Sequence, residues 1–159
     1  MIFDLVVAVQ VGMVLAAILF IRRISETTEV NRVTDEYMLE RPEQLACGKS
    51  LPDGVVVYRI FGPFLFGAAE KLMDALLRAE HWSKVLVLRL HLVTVMDTTG
   101  MNALLSVVER MKSSGGTVII SGIHRQPFAM LSKANAIEER GRKNLCATFD
   151  DAIARARQC

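Results

Sequence analysis

Residues 2–21 form an apolar run broken only by Asp4 and Gln10, and the run stops at the pair Arg22-Arg23. A helix of roughly 20 such residues, rising ~1.5 Å per residue, covers the ~30 Å hydrocarbon core of a bilayer. A secretory signal peptide needs basic residues ahead of its apolar core and a small-residue cleavage site behind it. Here nothing basic precedes the run, and two arginines follow it. A buried helix of a soluble protein is usually shorter and keeps a polar face, which this run lacks. Residues 1–23 therefore read as a transmembrane helix, and the arginine pair places the chain after it in the cytoplasm by the positive-inside rule. An initiator Met at the outer edge of such a helix leaves no charged segment to orient it. The expectation is a C-terminal fragment of a longer polytopic membrane protein, with Asp4 facing the missing helices.

The other 136 or so of the 159 residues suffice for about one domain with a sizeable core. A net charge of +2 argues against a nucleic-acid surface, which carries a basic stripe. Cys47, Cys146 and Cys159 are widely spaced without C-x-x-C pairing, as reduced cytoplasmic thiols would be. His81, His91 and His124 lie on separate segments without H-x-x-x-H spacing, so neither a metal site nor a cofactor is expected. No nucleophile elbow, P-loop or G-x-G-x-x-G is present, so the chain does not read as an enzyme.

From residue 24 the composition turns charged, with Val30, Val33, Tyr37 and Met38 at irregular helical spacing. The stretch reads as a helical extension of the membrane segment that runs out before Pro42, or as a solvated linker. Pro52-Asp53-Gly54 is a turn signal, and the soluble domain starts near it. Strands are predicted over 55–60, 85–90 with a continuation to 96, 117–121 and 145–147, and helices over 68–80, 99–114, from Pro127 and over 152–157. The 99–114 helix is expected to bury Met101, Leu104, Leu105, Val108 and Met111, with Gly115-Gly116 as its left-handed cap. Thr148 to Asp151 reads as a capping box. Strands alternating with helices imply right-handed crossovers and an α/β fold with a mainly parallel sheet covered by helices.

In such sheets, ligands and partners gather at the carboxyl ends of the strands. Three loops should meet there. The first, 61–67, holds Gly62, Pro63 and Phe64, and its phenylalanines read mainly as core. The second is Asp97-Thr98-Thr99-Gly100, whose three side-chain oxygens can cap the next helix and whose glycine admits a close backbone approach. A phosphate on Thr98 would sit at the positive end of that helix. The third holds Ser121, Gly122, His124 and Arg125.

Several of these motifs, in this order, resemble a STAS domain, the module of sulfate transporters and anti-sigma factor antagonists. They are the 85–96 strand, the Asp97-Thr98-Thr99-Gly100 turn, the helix with Leu104, and the run from Gly115-Gly116 to Ser121-Gly122. The segment from Phe3 to Arg23 resembles the last membrane helix of the SulP anion permeases, and Phe61-Gly62-Pro63-Phe64-Leu65-Phe66 resembles a loop of those permeases. The resemblance implies a transmembrane helix (1–23), a juxtamembrane linker (24–51) and a STAS domain (52–159). It implies a regulatory and interaction role in a sulfate-like anion transporter of the inner or plasma membrane, with a homodimer or a regulatory protein as partner. In the antagonists the first hydroxyl residue after the turn's aspartate is phosphorylated, and that position is Thr98 here, a threonine where they carry serine. A phospho-switch antagonist that binds a partner kinase is the alternative. The permeases bind their anion among many helices, so this chain alone is not expected to transport; sulfate, bicarbonate and dicarboxylate all remain open as the anion.

Overall fold

The computed structural model describes residues 2–26, 28–33, 51–65, 68–77, 84–133 and 142–159. The apolar run forms one helix, α1 (Ile2–Glu26), which carries the arginine pair in its last turns. The helix does not continue as the sequence suggested. It gives way to a strand, β1 (Glu29–Val33), which pairs antiparallel with β2 (Val55–Phe61), Val30 opposite Ile60 and Val33 opposite Val57. The physical reason lies in the spacing of the two valines. Three residues apart, they share one side of a helix, but in a strand they point to opposite faces. Both faces of this sheet are covered, and each valine packs into a different core. The remainder of the predicted extension, with Pro42 and Cys47, lies outside the described residues.

The chain then runs through α2 (Ala68–Leu77), β3 (Val85–Leu92), α3 (Thr98–Ser113), β4 (Thr117–Ser121), α4 (Arg125–Lys133), β5 (Leu145–Cys146) and α5 (Phe149–Ala156). The five strands lie in sequence order, and β2 to β5 are parallel. Alternation along the strands builds two cores. One face presents Tyr58, Ile60, Leu86, Leu88, Leu90, Val118 and Ile120 to Leu72, Leu104, Val107, Met111 and Leu131 of α2, α3 and α4. The other presents Val55, Val57, Val85, Val87 and Ile119 to Ala152 and Ala156, whose small side chains let α5 lie close to the sheet.

Helix α3 buries Gly100, Leu104, Val107 and Met111, a stripe turned slightly from the predicted one. Met101, Leu105 and Val108 are half-buried at its margin. The helix closes as expected: Gly115 adopts φ 75° and donates to Lys112 O at 3.1 Å, while Gly116 N donates to Met111 O at 2.8 Å. The Thr148–Asp151 capping box also forms at the start of α5. Cys146 and Cys159 are free thiols, and burial chiefly raises the Cys146 pKa.

Candidate functional site

The three loops come together at the carboxyl ends of the parallel strands. In the first, Phe64 is fully buried and forms a bridge to Met96, its N–H donating to Val95 O at 2.9 Å. Gly62, at φ 94°, donates to Leu92 O at 3.3 Å, and Phe61 is exposed. So Phe64 is core and Phe61 is not; Phe66 lies outside the described residues. The second loop rests on the first. Asp97 N donates to Phe64 O at 3.4 Å, and a methyl group on Gly100 would run into that same carbonyl. Glycine at position 100 is thus a packing requirement, set by the close approach of the two loops.

Of the three oxygen-bearing side chains in the turn, Asp97 is the cap. Its carboxylate accepts from Gly100 N at 2.7 Å, and its backbone is extended, as an N-cap requires. Thr98 and Thr99 are the first helical residues, both exposed. The capping role that the sequence shared among three residues thus belongs to one, leaving the Thr98 hydroxyl at the surface.

The third loop is fastened to the second by a residue whose part the sequence did not show. Gln126 accepts from Met96 N at 2.9 Å and donates to Met96 O at 3.0 Å, so one side-chain amide holds both backbone groups of one residue. No local pattern marks that contact, which joins positions 30 apart in the chain. Gly122, at φ 68°, backs onto His91, and His124 Nε2 donates to His91 O at 2.7 Å. Ser121 is buried, Arg125 exposed. The two histidines that looked unrelated in sequence are therefore neighbours. Burial first, then the charges of Arg89, Arg59 and His124, hold the His91 pKa below the ordinary imidazole value. No group of three or more metal-ligating side chains occurs among the described residues.

The first loop also reaches the end of the apolar helix. Thr28, buried two residues beyond α1, donates from Oγ1 to Pro63 O at 2.7 Å, and its own carbonyl accepts from Lys71 Nζ of α2 at 2.8 Å.

Comparison with known proteins gives this arrangement a family. The STAS domain family matches residues 50–152. YvdB of Bacillus subtilis (strain 168), named as a candidate sulfate transporter, is 30% identical over 150 residues, covering 94% of this chain but 27% of YvdB. The crystal structure of a sulfate transporter family protein from Wolinella succinogenes superposes with TM-score 0.66 at 34% identity, over 72% of this chain and 94% of that one. A SulP transporter STAS domain from Vibrio cholerae gives TM-score 0.60 at 31% identity, over 75% and 94%. The anti-sigma factor antagonist SpoIIAA shares the fold alone, at 18% identity, TM-score 0.58 and coverage of 70% and 95%. With well over half its length matched by the family, and two transporter domains above 30% identity nearly covered, the chain belongs to the STAS domain family, in the group carried by SulP-type sulfate transporters.

Proposed function

We propose that this chain is the membrane-attached regulatory end of a SulP-type transporter for a sulfate-like anion, with α1 in the bilayer, the STAS domain in the cytoplasm, and the three-loop edge as its partner or phosphorylation surface. One observation carries the reading. Residues Leu5–Arg23 span 19 positions at mean hydropathy 2.4 with none of that span buried, in a chain whose residues 50–152 match the STAS domain. Exposed leucines, valines and isoleucines in such number need lipid or other helices around them. The transport path itself belongs to the rest of a protein of which this chain spans a quarter or so, as it does of YvdB. The division into membrane helix 1–23, connecting stretch 24–51 and domain 52–159 is part of this proposal, with β1 joining the sheet from within the connecting stretch. The apolar helix argues against a soluble phospho-switch antagonist.

Orientation is tested by protease accessibility. Protease added outside intact cells should leave the domain whole, and protease added to inside-out vesicles should digest it beyond Arg23. The opposite pattern would reverse the topology.

The edge is tested at Asp97 and Thr98. Asp97→Ala should cost about 0.5–2 kcal/mol in denaturation because it removes the cap. Thr98→Ala, at an exposed position, should stay within about 0.5 kcal/mol of the parent. Thr98→Glu adds negative charge where the helix dipole favours it by roughly 0.3–1 kcal/mol, so it should melt like the parent. In the full transporter it should nevertheless change the rate of sulfate uptake. Uptake identical to the parent in the Thr98→Glu protein would remove Thr98 from the regulatory surface.

A further inference from the structure

Among the described residues beyond α1, three large apolar side chains stand exposed: Phe61 at 47%, Val95 at 46% and Phe128 at 43%. All three lie at the carboxyl edge of the sheet. Phe61 ends β2, Val95 lies three residues beyond β3, and Phe128 is in the first turn of α4, which follows β4. No described residue at the opposite edge, near Gly54 or Gly116, exposes such a side chain. Short contacts tie the three to one frame: Gly62 N donates to Leu92 O, Phe64 N donates to Val95 O, and Gln126 clasps Met96.

This is also the edge at which α1 arrives. Arg23 lies in the last turn of α1, and β1 begins at Glu29, paired with Phe61. Just before it, Thr28 is buried and held twice, its hydroxyl donating to Pro63 O at 2.7 Å and its carbonyl accepting from Lys71 Nζ at 2.8 Å. Three helical residues and two extended ones carry the chain from Arg23 to Thr28, a reach of at most about 12 Å. The headgroup layer on one side of a bilayer is itself roughly 5–8 Å thick. With α1 across the membrane and Arg22-Arg23 at its surface, so short a tether holds this edge against lipid. Apolar side chains gathered on that one edge mark an interaction surface. The exposed charges beside it are Glu29, which accepts from Asn31, and His124 and Arg125 at the start of α4.

We propose that the carboxyl edge docks on the bilayer that α1 spans, with Phe61, Val95 and Phe128 in the interfacial layer and Arg125 beside anionic headgroups. Phenylalanine and aliphatic side chains favour that layer, and a basic residue near it is drawn to anionic lipid. The docking rests on the reading of α1 as a membrane span, and not on Thr98 as a phosphorylation site.

The experiment places the full chain in nanodiscs of phosphatidylcholine and phosphatidylglycerol that hold a lipid with a nitroxide on its headgroup or, in a second preparation, on its acyl chain. Amide resonances are compared before and after the nitroxide is reduced. The headgroup probe should broaden Phe61, Val95 and Phe128 severalfold more than Gly54 and Gly116 at the opposite edge. Phe61→Ser/Phe128→Ser should remove most of that excess at Val95. The docked-to-undocked ratio should fall roughly twentyfold, because about half of each ring is left to bury. If the double variant does not fold, Val95→Ser, read at Phe61 and Phe128, carries the same comparison. The acyl-chain probe separates the docking from the membrane span. Broadening of Leu15 in α1, with no excess at the three edge residues, overturns the docking and leaves the edge to a protein partner. A Leu15 that the acyl-chain probe does not broaden overturns the span and the docking with it. Edge broadening that the serine substitutions leave unchanged also overturns the docking, since the tether alone would then account for it.

Discussion

Phe64→Ala should destabilise the domain by about 3–5 kcal/mol, the largest loss expected from any single truncation at the three-loop edge. Phe64 is fully buried although it lies in a loop between β2 and α2, and it belongs to the core shared with α2, α3 and α4. Removing the ring forfeits its burial and leaves a cavity that the surrounding backbone can collapse into only partly. That backbone is held on several sides: Phe64 N binds Val95 O, Phe64 O receives Asp97 N, and Gly100 lies against both the carbonyl and the ring. The variant should therefore loosen the Asp97 cap as well, visible as shifted Asp97 and Gly100 amide resonances. Phe61→Ala, three residues earlier at a position 47% exposed, should change stability by no more than about 0.5 kcal/mol. Chemical denaturation of the chain in mild detergent, followed by circular dichroism, measures both. Equal losses from the two phenylalanines would mean that the first loop is not anchored through Phe64.

Leu104→Ala should cost about 2–5 kcal/mol, and Leu105→Ala about half as much. The sequence pattern marks both leucines as core. In the fold Leu104 has no exposed surface, whereas Leu105 is half-buried at the edge of the same cluster. The difference follows from the rotation of α3. Gly100 must face Phe64 to let the two loops touch, and residues four, seven and eleven positions later then point inward: Leu104, Val107 and Met111. Val107→Ala should accordingly rank with the core substitutions, though smaller because fewer methyl groups are lost. The same denaturation series ranks the three. A Leu105 loss equal to or above that of Leu104 would place the helix in a different rotation.

The bond from Thr28 to Pro63 gives the proposed regulation a physical route. Thr28 lies two positions beyond the end of α1, and Pro63 belongs to the loop on which the Asp97 turn rests. Under the proposed function, a change of partner or charge at that edge would act on backbone hydrogen-bonded to Thr28, just beyond the apolar helix. A coupling of this kind requires two arrangements of the joint whose balance the edge can bias.

How far the sequence reached is clearest where a signal is local. The membrane-length helix, the parallel strands, the Schellman closure at Gly115-Gly116 and the Thr148–Asp151 box each depend on residues within a few positions of one another, and each is present. Composition and turn chemistry decide such features because propensity, capping and burial periodicity act over one or two turns of chain. What lies beyond that range was decided by tertiary structure. Val30 and Val33 are too few to announce a strand, and only pairing with β2 between two cores makes them one. Asp97 rather than Thr98 caps α3 because Phe64 fixes where the turn enters the helix. Gln126 finds Met96, and Arg59, Arg89, His91 and His124 become neighbours, because parallel register lines up residues that stand about 30 positions apart in the chain. Local pattern marks most helices and strands and the approximate apolar side of each; which polar side chains meet at the carboxyl edge is a property of strand order and register, which no single segment encodes.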